Sequence, residues 1–409
     1  MTIKYPSGRQ FLQIPGPTNV PDRVLRAIAR PTIDHRGPEF SRMIAEVLDG
    51  LRGIFKTSSH VVIFPSSGTG AWEASLVNTL SAGDKVLMFD IGHFSGLWGQ
   101  VASKLGLDVH VAQDDWRRGV DPQVVEAELS KDREHKIKAV CVVHNETSTG
   151  VTTRVREIRK AMDRAGHQAL LLVDTISSLG SIDFRHDEWG VDVTIGCSQK
   201  GLLLPPGLGF NAISEKALSA SKSARFPKSY WDWAPILSQN ANGFFPYTPA
   251  TNLLYGLKES LQMLAEEGLG NVFARHRRHG EATRRAAEAW GLETVAVDPR
   301  EYSHSVTALY MPSGYSADGF RKVVLDQFNM PLGTGLGRLQ DKIFRIGHLG
   351  DFNDLMLAGT LSGVEMGLDL ADVPHRKGGV AAALDYLATT AKGLATPLHE
   401  KSPSPSGRG

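Results

Sequence analysis

Cysteine is almost missing from this 409-residue sequence: only Cys141 and Cys197 occur. Each lies inside an apolar run, AVCVV and VTIGCS, so a disulfide framework is not implied and a reducing compartment fits. A charge imbalance is missing too. The 45 basic and 44 acidic side chains nearly cancel, which leaves no field of one sign to attract nucleic acid or an anionic membrane. Small molecules are therefore the expected partners. No apolar run approaches the roughly 18 residues that a membrane-spanning helix needs, and the opening MTIKYPSGRQ lacks the apolar core of a signal peptide. The closing SPSGRG is not a peroxisomal address. These absences lead to the expectation of a cytoplasmic protein with no metal site and no internal repeat.

What is present has the profile of an ordinary α/β protein: 41% hydrophobic and 22% charged residues, with 42 glycines and 21 prolines. The length suits one large domain and a smaller one. IPGPTNVP cannot be a regular helix, because Pro15 and Pro17 lack amide donors and restrict their neighbours; residues 1–20 read as an arm. Short apolar runs then follow at 61–64, 85–89, 108–112, 139–143, 169–174, 191–197 and 207–213, separated by helix-length segments. Such runs predict a mostly parallel seven-stranded sheet covered on both faces. A long helical pattern from 251 through Trp290 leads away from it. Beyond lie SVTALYM (305–311) and KIFRIGH (342–348) among helical stretches, which indicates a small α+β domain. The expected division is a large domain over 21–270, a small one over 271–400 and a disordered tail over 401–409.

Four segments bear on chemistry. PSSGTGAWEA (65–74) follows a strand and opens a helix, so Ser67, Gly68 and Thr69 could bring amides and hydroxyls to a phosphate; it equally reads as a well-capped turn. As a dinucleotide fingerprint it fails, since Glu73 fills the third glycine position. LLLVDTISSLG (170–180) ends an apolar strand on Asp174, a carboxylate able to pair with a protonated pyridine nitrogen or simply to cap a turn. Lys200, in VDVTIGCSQKGLLLPPGLG, leaves another such strand. Partial desolvation there would lower its pKa and make the amine a nucleophile, although most lysines are surface residues. Arg345, in KIFRIGHLGD, could clamp a carboxylate through two parallel hydrogen bonds or pair at the surface with Asp351 or Asp354.

Set in order, SSGTGAWEA, HNETSTG, VDTISSLG and GCSQKG resemble the motifs of the class V aminotransferases of fold type I, nearest to their serine–glyoxylate and alanine–glyoxylate branch. The likeness runs from IPGPTN (14–19) to FRIGHLG (344–350). It implies a pyridoxal 5'-phosphate enzyme in which Lys200 is the Schiff-base lysine and proton shuttle and Asp174 pairs with the ring nitrogen. By the same resemblance Ser67, Gly68, Thr69 and Gln199 bind the phosphate, with Thr248 reaching the neighbouring subunit's phosphate. Thr147 lies near the ring hydroxyl. Trp98 stacks on the ring, or else is a core tryptophan. Arg345 becomes the substrate clamp, with Gly16 lining its pocket, and the protein is a homodimer whose pairing into tetramers stays open.

The implied reaction is a ping-pong transfer from L-serine to glyoxylate, giving hydroxypyruvate and glycine. Aspartate and alanine are the alternative donors. Aspartate would require a second cationic group, for which His35 and Arg36 are candidates across a dimer interface; plant members carry tyrosine where His35 stands, which leaves the donor side-chain contacts open. A cysteine desulfurase would need a thiol on a mobile loop, a nicotinamide oxidoreductase a glycine pattern that fails here, and a non-catalytic regulator a further partner-binding domain.

Overall fold

The computed structural model describes residues 10–391. Its main sheet is built from β1 (His60–Ser66), β2 (Lys85–Asp90), β3 (Asp108–Asp114), β4 (Ile137–Val143), β7 (Leu170–Asp174), β8 (Val193–Cys197) and β9 (Gly207–Ile213). A two-residue hairpin, β5 (Asn145–Glu146) with β6 (Val151–Thr152), intervenes. The order is β1-β9-β8-β7-β4-β2-β3. Adjacent strands run parallel except that β9 opposes both β1 and β8. The expected mostly parallel seven-stranded sheet is present. Every residue of β7 and β8 is buried, as the continuous Val/Ile/Leu runs require when helices cover both faces.

The first four helices are α1 (Asp22–Ile28), α2 (Pro38–Phe55), α3 (Gly68–Thr79) and α4 (His93–Lys104). Phe40, Met43, Ile44, Val47, Leu48, Leu51, Ile54 and Phe55 recur at helical spacing on α2 and pack on one face with Leu254, Leu257, Leu261 and Leu264. The other face is covered by a second core that includes Trp72, Trp98, Ile158, Met162 and Trp233.

The helical pattern expected from 251 to 290 is two helices, Thr251–Glu267 and Leu269–Trp290, separated at Gly268 with φ +81°. Only glycine takes that backbone conformation without strain. The break lets the two halves serve different cores: Val272 still packs with the first helix, whereas Ala282, Ala286, Ala287 and Trp290 join a third core with Phe320, Phe344 and Leu361. That core backs a three-stranded antiparallel sheet of β10 (Val306–Tyr310), β12 (Ile343–Gly347) and β11 (Gly333–Thr334). The segment from Phe11 to Thr18 ties both sheets together. Gln13 bridges to Leu332 and accepts from the Gly347 amide, while the Thr18 amide donates to the Gln199 carbonyl at 3.1 Å. The expected tail at 401–409 lies outside the described residues.

Candidate active site

Parallel neighbours end at the same edge of a sheet, and that edge is where open α/β sheets bind ligands. β7 ends on Asp174, β8 runs into Ser198–Gln199–Lys200, β4 leads into Asn145–Thr147, and β1 turns through Ser67 into α3. A cavity of about 240 Å³ opens there, lined by Ser67, Gly68, Thr69, Thr147, Asp174, Gln199, Lys200 and Gly16 among others. Eight of the thirteen residues singled out in the sequence thus meet in one place.

Lys200 is buried, and its ammonium donates to the Pro15 carbonyl. Burial holds its pKa down at about 8, a trend that the nearby Arg345 charge reinforces. Gly16 crosses directly over this side chain at φ +99°, where an added Cβ would stand 2.7 Å from Nζ and nearer still to Cδ and Cε. Asp174 is buried too. Its Oδ1 accepts from the Ile176 amide at 2.6 Å and its Oδ2 from the Trp72 indole at 2.9 Å. Burial nevertheless pushes its pKa up to about 7, because two neutral donors only partly replace water.

At the start of α3, Ser67 occupies the N-cap without capping any amide through its side chain. Its hydroxyl and the positive helix end are therefore available to an anion. An added Cβ on Gly68 would overlap Ile176 Cδ1, so a larger residue here would have to push the Ile176 side chain aside. Gln199 Oε1 is buried without a partner. The Thr147 hydroxyl donates to Ser177 Oγ at 2.7 Å.

Arg345, on β12, is 6% exposed and donates from Nε to the Thr334 carbonyl (2.8 Å) and from Nη1 to the Thr147 carbonyl (2.7 Å). Two of the five guanidinium donors are thereby used. Asp354 pairs instead with Arg278 and His279, so the surface-pair alternative does not describe Arg345. Burial lowers its pKa to about 10.

Other candidates stand apart. Trp98 does not line the cavity: it is fully buried and stacks on Trp72, with centroids 6.0 Å apart and planes 15° from parallel, its indole nitrogen unpartnered. Thr248 and Arg36 are exposed, and His35 is half-buried with an unpartnered Nε2. None of these three lines the cavity.

Several residues escaped sequence reasoning. Trp72, Phe94 and Ile176 line the cavity, whereas Trp98, the aromatic expected there, does not. Trp72 could have been found, since it stands four residues after Gly68 and so on the same face of α3. Glu146, fully buried, accepts from the Ser95 amide at 3.0 Å and the Ser148 hydroxyl at 2.7 Å, fixing the start of α4. No sequence signal marks that role. The lining as a whole suits a flat ring with a phosphate at one end and a proton-bearing nitrogen at the other, beside an amine of depressed pKa. Among the described residues no group of three or more His, Cys, Asp or Glu is placed to hold a metal, and no helix is long and apolar enough to cross a membrane.

A sequence model of the class-V aminotransferases matches residues 10–335. The chain belongs to that family. Among its relatives, a serine–glyoxylate aminotransferase of Methylorubrum extorquens is 48% identical, over 93% of this chain and 96% of that protein. An L-aspartate–glyoxylate aminotransferase of Paracoccus denitrificans is 45% identical, over 92% and 96% respectively. The crystal structure of ureidoglycine–glyoxylate aminotransferase from Bacillus subtilis superposes with a TM-score of 0.86 at 28% identity, covering 94% of this chain and all of that one. As a class-V aminotransferase this chain is an enzyme of the fold expected from its sequence.

Proposed function

We propose that the protein binds pyridoxal 5'-phosphate and transfers the amino group of L-serine to glyoxylate, releasing hydroxypyruvate and glycine in a ping-pong cycle. When bound, the cofactor supplies an aldehyde that captures an amine and a ring that accepts electrons. Ser67, Gly68, Thr69 and Gln199 would hold its phosphate, Thr147 would stand by its ring hydroxyl, and Asp174 would hold the proton on its ring nitrogen. Arg345 binds the substrate carboxylate through its remaining donors, beside Gly16. The Lys200 amine carries the proton away from the donor's α-carbon and returns it in the reverse half-reaction; its low pKa lets it accept near neutrality.

The observation that carries the substrate choice is the 48% identity to a serine–glyoxylate aminotransferase across nearly the full length of both chains. Within one chain Lys200 is the only Lys, Arg or His on the lining among the described residues, Arg345 not being on it. A serine side chain needs no cation, whereas aspartate needs one. The second reading, an aspartate donor, rests on the Paracoccus relative and would require His35 or Arg36 to arrive from a second subunit. Alanine is the third donor. A desulfurase role is disfavoured by both thiols being buried, with Cys197 pushed up to about 12. We further read the protein as a cytoplasmic homodimer, Thr248 reaching the phosphate of the neighbouring site.

A donor panel with glyoxylate as acceptor tests the assignment. Serine should give the highest kcat/KM; a higher value for aspartate or alanine would reject serine, and no transfer from any of them would reject the reaction.

A further inference from the structure

α3 does more than present a phosphate turn. Four residues into it, Trp72 is 2% exposed, lines the cavity, and donates its indole N–H to Asp174 Oδ2 at 2.9 Å. The other carboxylate oxygen is already held by the Ile176 amide, so each oxygen has one fixed donor and the plane of the group is set. The indole cannot swing away, because Trp98 is stacked behind it and is itself fully buried. Chemistry favours a neutral donor in this position. An arginine or lysine would neutralise Asp174 and weaken its hold on a ring-nitrogen proton, while an apolar side chain would leave a buried carboxylate oxygen unsatisfied.

We propose that Trp72 is a positioning residue that keeps Asp174 ionised and aimed at the cofactor's ring nitrogen, so that one rigid helix sets both ends of the cofactor. Ser67 to Thr69 locate the phosphate, and one turn later Trp72 locates the carboxylate that meets the ring. This rests on the reading of Asp174 as the ring-nitrogen partner. The indole hydrogen bond favours the pair in which the proton is on the ring and the charge on Asp174. Without it, the balance moves toward a neutral ring and a neutral acid.

Holoenzyme loaded with cofactor ¹⁵N-labelled at the ring nitrogen provides the test. In W72F, which keeps an aromatic ring but loses the donor, the nitrogen resonance should move toward the unprotonated position. Cofactor binding should weaken on the order of tenfold, as for loss of one hydrogen bond to a charge. kcat should fall with KM for the donor little changed. A folded W72F with an unchanged resonance and dissociation constant overturns the proposal, since a packing role alone would alter stability but not ring protonation. D174N separates the two readings: if it too leaves the resonance in place, the Asp174 assignment has failed; if it moves the resonance and W72F does not, only the Trp72 proposal has. Should W72F not fold, the wild-type cofactor-free protein serves. One of the indole N–H resonances of its seven tryptophans should shift with pH as Asp174 titrates and shift again on adding cofactor; if none does, the proposal is wrong.

Discussion

Lys200 and Asp174 are both buried, and burial moves their pKa values toward each other from opposite sides: the amine down to about 8, the carboxyl up to about 7. Each shift has a measurable consequence. A lysine is nucleophilic only when neutral, so the rate at which cofactor-free protein takes up pyridoxal phosphate should climb with pH and level off just above 8. Continued climbing to pH 10, followed by visible absorbance, would mean that the amine is ordinary. For Asp174 the folded pKa lies above the unfolded value near 3.8. Below that value both states are protonated and nothing is lost; between it and 7 only the unfolded chain is ionised, so stability falls as pH rises, and above 7 the fold carries the full cost of an ionised, poorly solvated carboxylate. D174N should therefore stabilise the cofactor-free protein more at pH 8 than at pH 4.5. The difference should be on the order of 3 kcal/mol at about 1.4 kcal/mol per unit of pKa. Equal effects on the unfolding midpoint at both pH values would contradict the burial argument. Sequence named both residues but not their partners, because the Pro15 carbonyl and the Trp72 indole lie 185 and 102 positions away.

At the scale of elements, apolar runs announced the strands of the main sheet, since a strand buried on both faces must be continuously apolar. What they could not announce was strand order, which brings β7 and β8 side by side and so sets Asp174 near Lys200. Nor did they reveal the break at Gly268, where a glycine inside a helical pattern gives no hint of its φ. A further link is electrostatic. Arg338, in the turn Gly337–Leu339 just before β12, pairs with Asp90 at 2.9 Å and with Asp114, and lies 5.2 Å from the Trp116 ring centroid. Asp90 closes β2 and Asp114 closes β3, so this half-exposed cluster clasps the turn leading to Arg345 against the main sheet. Exposed pairs are weak and screened by salt. R338A should raise KM for both substrates a few-fold at low ionic strength with kcat nearly unchanged, and the gap to wild type should close in high salt. A gap that persists in high salt would point to a role other than the ion pairs.

At the scale of the whole molecule, the separation of Thr248, His35 and Arg36 from the cavity gives the homodimer reading its sharpest test. If Thr248 completes the neighbouring subunit's phosphate site, T248D and K200A should each be inactive alone, and co-refolded mixtures should regain activity, since one site of the mixed dimer then carries neither lesion. Mixtures as inactive as their parents would place Thr248 outside any shared site. The sequence by itself determined the seven-stranded α/β sheet, the family and the candidates for its reactive groups, because strand burial and motif chemistry are written in short stretches of neighbouring residues. Only the tertiary structure decided that Trp72 lines the cavity and meets Asp174 while Trp98 lies in the core behind it, that the arm's Pro15 holds the Lys200 amine, and that Arg345 rests on the carbonyls of Thr147 and Thr334. Those contacts join residues far apart in the chain, and they exist only once strand order and helix packing have brought the segments together.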